Sequence, residues 1–485
     1  MGGLMLLILV GYFILLLTIS AFVSKKSSNN DAFFRGNKKS PWYVVAIGML
    51  GASISGVTFV SVPGMVGALD MTYMQMVLGF IPGYLIVAYV LLPLYYKLNL
   101  TSIYEYLRDR FGFYSYKSGA VFFILSKTVG AAARLYLVAL ILHVLIFRQW
   151  HIPFWLVVSG IILLIWIYTH RSGIKAIVWT DTLQTISMLI ALILIIWQVA
   201  VRLDFGFMDV VHTIKDSEHF KIFVFDDWES KQNFFKQFLN GILIVIVMTG
   251  LDQDMMQKNL TCKNLGDAQK NMVVYGFAFT PINFLFLALG ILLVTFASRF
   301  GIVLPVGADN ILPFLASEYL GMSVLIFFTI GIIAASFSSA DSALTSLTTT
   351  ICVDLLEVDE SEIEKAQAIR KRVHLSVSVL FLFVILIIDA VANGSVLNTI
   401  YKAASYTYGP LLGMFFLGLY TKVQVRDRYV PIVCVLAPLL AYSVEYCSLH
   451  YFGYAVGYEI LLLNGLLTIF GLLVLKENKK VELID

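Results

Sequence analysis

Apolar stretches of about twenty residues recur along almost the whole chain, and this repetition limits its possible folds more than any other feature. A helix of that length crosses the hydrocarbon core of a bilayer, and a water-soluble domain cannot bury a dozen of them. The balance of residues agrees. Of 485 residues, 59% are hydrophobic and 13% charged, against about 25% charged in soluble proteins. The expected fold class is an all-α integral membrane protein. Cys262, Cys352, Cys434 and Cys447 lie far apart, with neither metal spacing nor a disulfide framework.

Spans are expected at about 4–23, 42–67, 72–96, 118–147, 153–169, 174–201, 234–257, 271–298, 322–353, 373–391, 395–419, 429–447 and 454–475, about thirteen in all. No positive charge precedes the first, while Lys25, Lys26, Arg35, Lys38 and Lys39 follow it. That order fits an uncleaved span with its N-terminus outside, which places the C-terminus inside. The loops then assigned to the inside hold Lys97, Arg108, Arg110, Arg171, Lys175, Lys258, Lys263, Lys270, Arg370, Lys371, Arg372, Lys422, Arg426 and Arg428, and the tail adds Lys476, Lys479 and Lys480. This excess of basic residues supports the orientation. The segment Thr101–Gly112 reads as an amphipathic surface helix on the inner side.

Three spans are chemically unusual. The stretch Gly331–Thr350 continues an apolar run yet is packed with hydroxyls and carries Asp341. Helical spacing puts Ala335, Ser338, Ser339 and Ser342 on one face. Oxygen ligands suit a hard cation, although Ser and Thr also serve as packing glue between membrane helices. A carboxylate within a span is costly and favours the functional reading. The stretch Gly48–Gly64 mixes Gly51, Gly56, Pro63 and Gly64 with Ser53, Ser55 and Thr58, so this span is expected to unwind at mid-membrane. Unwound carbonyls at that depth can coordinate ions. The span at about 234–257 has weak points at Gly241 and Gly250 and ends in Asp252–Lys258. Two interrupted spans at matching places suggest a transporter built from inverted repeats.

These pieces, in this order, resemble the sodium:solute symporter family. Asp31–Gly36 follows the first span, Pro63–Gly64 ends the broken one, and Thr101–Gly112 matches the family's inner loop. Gly173–Gln184, Asp252–Lys258 and the Ser338–Ser339 pair complete the match, which covers almost the whole chain. The resemblance implies a LeuT-like bundle of five plus five inverted helices in a single domain, 1–485. An extra helix at 1–24 would precede repeats at about 42–203 and about 234–420, with two helices at about 429–476 after them.

The resemblance also implies a main sodium site made of the carbonyls of Gly51, Ile54 and Ala335 and the hydroxyls of Ser338 and Ser339. A further cation or proton site would involve Asp181, Asp341 and Ser342, with the two carboxylates close together and sodium competing with protons. The sialic acid carriers have a hydroxyl where this chain has Asp341. Solute is expected to meet Ser53, Ser55, Thr58, Gln75, Arg134, Met248, Tyr401 and Lys402. Val57, Val77, Val245, Met248 and Phe279 stand where the galactose carriers place polar or aromatic groups, and Tyr401 replaces an amide, so the resemblance disfavours a sugar. Lys127 and Arg134 are seven residues apart and lie on roughly one face. Either they pair with internal carboxylates, or they capture an anionic solute, since guanidinium grips carboxylate bidentately.

The expected function is sodium-coupled symport of a small polar, anionic, carboxylate-bearing solute by alternating access, with sodium as coupling ion and no enzymatic step. Alternatives are proton coupling through Asp181 and Asp341, a sensor built on a transporter body, or a passive channel. The expected partners are the solute and the lipid bilayer, with neither nucleic acid nor an obligate protein. The expected location is the plasma membrane, for a bacterial source the inner membrane, spanned many times.

Overall fold

The computed structural model describes residues 2–24, 30–170, 173–358, 363–391 and 396–477. Lys25, Lys26, Arg171, Lys479 and Lys480, which entered the orientation argument, lie outside the described residues. The chain begins with α1 (Gly2–Ser24) and α2 (Asn30–Arg35), then α3 (Trp42–Ser53), α4 (Gly56–Leu69), α5 (Tyr73–Ile86) and α6 (Leu92–Lys97). Next come α7 (Glu105–Arg110), α8 (Phe113–Leu142), α9 (Phe154–Thr169), α10 (Ile174–Arg202) and α11 (Phe207–Asp216). The second half holds α12 (Phe234–Val245), α13 (Gln253–Asn259), α14 (Leu265–Phe300), α15 (Ala308–Glu318) and α16 (Met322–Thr350). The last helices are α17 (Ile363–Val391), α18 (Val396–Thr407), α19 (Gly409–Tyr420), α20 (Val430–Phe452) and α21 (Ile460–Val474). A two-residue ladder, β1 (Gln424–Val425) with β2 (Lys476–Glu477), ties the end of α21 to the turn after α19.

Among the described residues, eight helices are long and apolar enough to cross a membrane, and two bent pairs each make one more span. Helices α9, α19 and α21 are apolar but shorter. The segments at about 202–233 and 299–321 are not bare loops, since they carry α11 and α15. Segment Thr101–Gly112 forms the short α7, as its amphipathic pattern predicts.

The two bends fall where the sequence weakens the helix. Chain α3–α4 turns through 58° at Ile54–Ser55, between Gly51 and Gly56. Gly56 is required there by close packing. A Cβ would lie 2.3 Å from Ser336 Oγ on α16 and 2.5 Å from a Val138 methyl on α8. Gly64 has the same role further out, where a Cβ would sit 1.9 Å from the Ala308 carbonyl of α15. The second bend, 68°, follows a π-helical turn at Ile246–Gly250. Asp252 restarts the helix by accepting the Asp254 and Met255 amides at 2.9 and 3.3 Å, the standard way to satisfy exposed N–H groups at a helix start.

The halves pack in a matching pattern. Helix α5 lies along α12 as α14 lies along α4, while α10 runs along α16 and α18 along α8. Both breaks therefore meet α16 and α8 in the middle of the bundle.

Candidate ion and solute site

From Val324 to Thr350 almost every residue of α16 is buried, so its hydroxyls and Asp341 face protein. Ser339 Oγ donates to the Ala335 carbonyl one turn back, 3.3 Å, and to the Ala52 carbonyl at the end of α3, 3.2 Å. It thus sits between the broken helix and α16. Ser338 Oγ donates to Asp181 Oδ1 on α10 at 2.7 Å. A hydroxyl that donates its proton this way keeps two lone pairs for a cation. Ile54 and Ser55 form the non-helical link, and the Ser55 carbonyl starts the ladder of α4 by accepting the Phe59 amide at 3.1 Å.

Behind this pair lies a buried network of charges. Asp181 Oδ2 is 2.7 Å from Lys258 Nζ on α13, and both side chains are essentially shielded from solvent. Ser342, on the same face of α16, donates to Asp254. Lys127 on α8 contacts Asp254 at 2.5 Å and Asp252 at 3.2 Å, and Tyr408 donates to Asp252 at 2.5 Å. Asp341 accepts from Tyr168 of α9 at 2.8 Å, while its other oxygen has no hydrogen-bond partner among the described residues. Asp341 also lies in the electrostatic field of both Asp181 and Lys258.

A cavity of about 80 Å³ opens beside this network, lined by Ala52, Ser53, Phe80, Tyr84, Lys127, Arg134, Met248, Asp252, Tyr275, Phe279 and Tyr401 among others. Most of its wall is aromatic or aliphatic. Ser53 Oγ and Tyr275 Oη are 2.5 Å apart, and Tyr84 donates to Tyr275 at 2.9 Å, so these hydroxyls are held in a chain. The Arg134 guanidinium borders the cavity without an ion pair or hydrogen bond among the described residues. A larger vestibule of about 350 Å³ lies at the end the sequence places outside, bordered by Tyr73, Lys231, Asn398, Lys402, Glu445 and Tyr458. Tyr401 lines both spaces.

The expected site residues separate accordingly. Ser53, Arg134, Met248 and Tyr401 line the inner cavity. Ser55 and Thr58 are buried and line neither space. Gln75 is fully buried and fixed in place. Its amide donates to the Gln232 and Thr72 carbonyls at 2.7 and 3.2 Å and accepts from the Val224 amide at 3.0 Å. Gln75 therefore anchors the outer loop. Lys402 borders the vestibule and pairs with Glu445 at 2.8 Å. Of the proposed sodium ligands, Ala335, Ser338 and Ser339 come together, whereas the helix-break carbonyl that Ser339 reaches is that of Ala52, next to Gly51. Asp181, Asp341 and Ser342 are all buried, but each has a different partner.

The sequence reading places Lys258 in an inner loop and takes Asp252–Lys258 otherwise only as a motif; the structure instead turns these charges inward, with Lys258 1% exposed against Asp181. The available signal was the density of charge, Asp252, Asp254 and Lys258 within seven residues straight after a helix break. The tyrosines 73, 84, 275 and 408 carried no local signal in a chain with 25 of them.

The family model for the sodium:solute symporter family matches residues 33–426. The chain is 25% identical to the sodium/sialic acid symporter SiaT of Proteus mirabilis, over 93% of this chain and 91% of that one. It is 24% identical to the sodium/sialic acid symporter NanT of Aliivibrio fischeri, over 96% and 93%. The human sodium/iodide cotransporter is 24% identical over 80% of this chain and 61% of its own. Among solved structures, a substrate-bound, outward-open sodium-coupled sialic acid symporter superposes with a TM-score of 0.83 at 20% identity, covering 97% of both chains. The nucleobase-cation symporter Mhp1, in a closed conformation, superposes at 0.55 with 15% identity over 92% of this chain and 93% of that one.

Proposed function

We propose that this chain, which belongs to the sodium:solute symporter family, imports a small carboxylate-bearing solute by alternating access around the α3–α4 and α12–α13 breaks. That it is a sodium-coupled, multi-span membrane transporter follows from the family.

One observation carries this reading: among the described residues the Arg134 guanidinium has no ion-pair partner beside a mostly apolar cavity, while the neighbouring Lys127 is engaged by Asp252 and Asp254. A half-buried cation at the wall of a mostly apolar cavity gains from a counter-ion, so an arriving anion would complete the site. The names of the relatives point the same way: sialic acid, iodide and monocarboxylates are anions. Ser53, Met248 and Tyr401 would meet the rest of the solute. The surrounding Phe80, Tyr84 and Phe279 favour an apolar body over a polyhydroxylated one.

Sodium would bind between α3 and α16, held by carbonyls of the stretch from Gly51 to Ile54, the Ala335 carbonyl and the Ser338 and Ser339 hydroxyls. Bridging those helices favours one arrangement of the bundle, and release of the ion lets them separate. Each sodium crossing about 100 mV supplies roughly 2.3 kcal/mol, plus its concentration term. The architecture we propose has about thirteen spans, N-terminus outside and C-terminus inside. Helix α1 precedes one repeat at about 42–203 and another at about 234–420, and α20 and α21 close the chain.

The test is uptake into proteoliposomes of a panel of radiolabelled carboxylates, sugars and amino acids, under an inward sodium gradient. Accumulation of a carboxylate that collapses with a sodium ionophore supports the reading. Accumulation of a neutral sugar alone would refute the anionic part of it.

A further inference from the structure

The resemblance implies a second cation position at Asp181, yet the oxygens there are already engaged. Asp181 Oδ1 accepts from Ser338, and Oδ2 lies 2.7 Å from Lys258 Nζ. Ser342, the other hydroxyl the resemblance places there, is drawn toward Asp254 on α13 and not toward Asp181. Asp341 is held by Tyr168. The ammonium of Lys258 is 1% exposed and is tied by a short chain to α13, the inner half-helix after the second break.

The chemistry decides what this arrangement permits. A sodium ion needs several oxygen ligands, and the one that would define this second site is the Asp181 carboxylate. Here the charged oxygen is in contact with another cation. A sodium beside Asp181 would stand a few ångströms from a fixed positive charge in a medium that screens it poorly, and that repulsion is strong. A buried aspartate also needs a positive partner, and Lys258 supplies one that never dissociates.

We infer that Lys258 is a tethered cation filling the Asp181 pocket, so that the second site is closed to sodium and solute is coupled to the single ion between α3 and α16. This inference rests on the symporter reading above. It makes Lys258 a residue that sets coupling stoichiometry, and it gives α13 a charge link to α10 in place of an exchangeable ion.

The test counts bound ions. Purified full-length protein in lipid nanodiscs is titrated with ²²Na⁺ at alkaline pH without solute. The wild type should saturate at a single sodium per chain. Lys258→Met uncovers Asp181 and Asp341 and should raise the count to two, and Lys258→Met/Asp181→Asn should return it to one. Lys258→Arg, which keeps the charge, should stay at one. Ser339→Ala in the wild-type background should weaken the single ion. A wild type that binds two sodium ions overturns the inference, and so does a folded Lys258→Met that still binds one. A wild type that binds none instead refutes the symporter reading on which it rests. Should Lys258→Met fail to fold, Lys258→Gln, which keeps a polar group of similar length without the charge, carries the same expectation of two ions, and a folded Lys258→Gln that binds one overturns the inference. A merely structural ion pair would leave the number of bound ions unchanged.

Discussion

The phenolic oxygens of Tyr73 on α5 and Tyr401 on α18 lie 3.0 Å apart, where the outer vestibule narrows toward the inner cavity. One comes from each half of the chain, and Tyr401 lines both spaces, so we expect their hydrogen bond to hold the way between them shut. Tyr458 packs edge-on against Tyr401 at 5.3 Å and supports it from α21's side.

Removing that bond should loosen the closure. A net hydrogen bond contributes about 0.5–1.5 kcal/mol, so Tyr73→Phe should raise the open population roughly fivefold. Met248→Cys in a Cys447→Ser background reports this, because Cys447 is exposed while Cys262, Cys352 and Cys434 are buried. The labelling rate with a membrane-impermeant thiol reagent should rise by about that factor. An unchanged rate would mean that the tyrosine pair does not gate the cavity.

Ser338→Ala and Ser339→Ala each take an oxygen from a site that offers few. Bonds to a charged partner contribute about 1.5–3 kcal/mol, so half-saturation by sodium should rise about tenfold or more in each. Protein yield and solute selectivity should hold. Transport measured against sodium concentration decides it, and normal half-saturation in both variants removes the assignment.

Arg134→Lys keeps a positive charge but loses the planar fork that grips a carboxylate. Solute affinity should fall by about tenfold or more while sodium binding without solute stays unchanged. Calorimetry on purified protein separates the two. Normal solute affinity would make Arg134 a structural residue.

Lys127→Met strands Asp252 and Asp254, two buried carboxylates that it now contacts. Breaking a buried pair on one side costs about 3–5 kcal/mol, whereas removing both charges is often close to neutral. The single variant should lower the thermal unfolding midpoint sharply, and Lys127→Met/Asp254→Asn should recover most of the loss. A single variant as stable as wild type would show that the network carries no net stabilisation.

The chain's local chemistry decided most of the apolar spans, both breaks and the face of α16 that carries Ala335, Ser338 and Ser339. All three follow from short-range causes: apolar length against bilayer thickness, glycine and proline weakening a helix, and the helical period. The expected α7 emerged for the same reason, from an amphipathic stretch a few residues long. Which buried charges meet is a different kind of fact. Asp181 meets Lys258, Lys127 meets Asp252 and Asp254, and Ser342 turns to Asp254, because packing sets which helix faces cross. Gln75 reads as a solute ligand until the outer loop is seen to close over it. Periodicity tells which side of a helix is polar, but only the docking of α8, α10, α13 and α16 chooses the partner. That docking depends on glycines such as Gly56, whose missing side chain lets the helices approach.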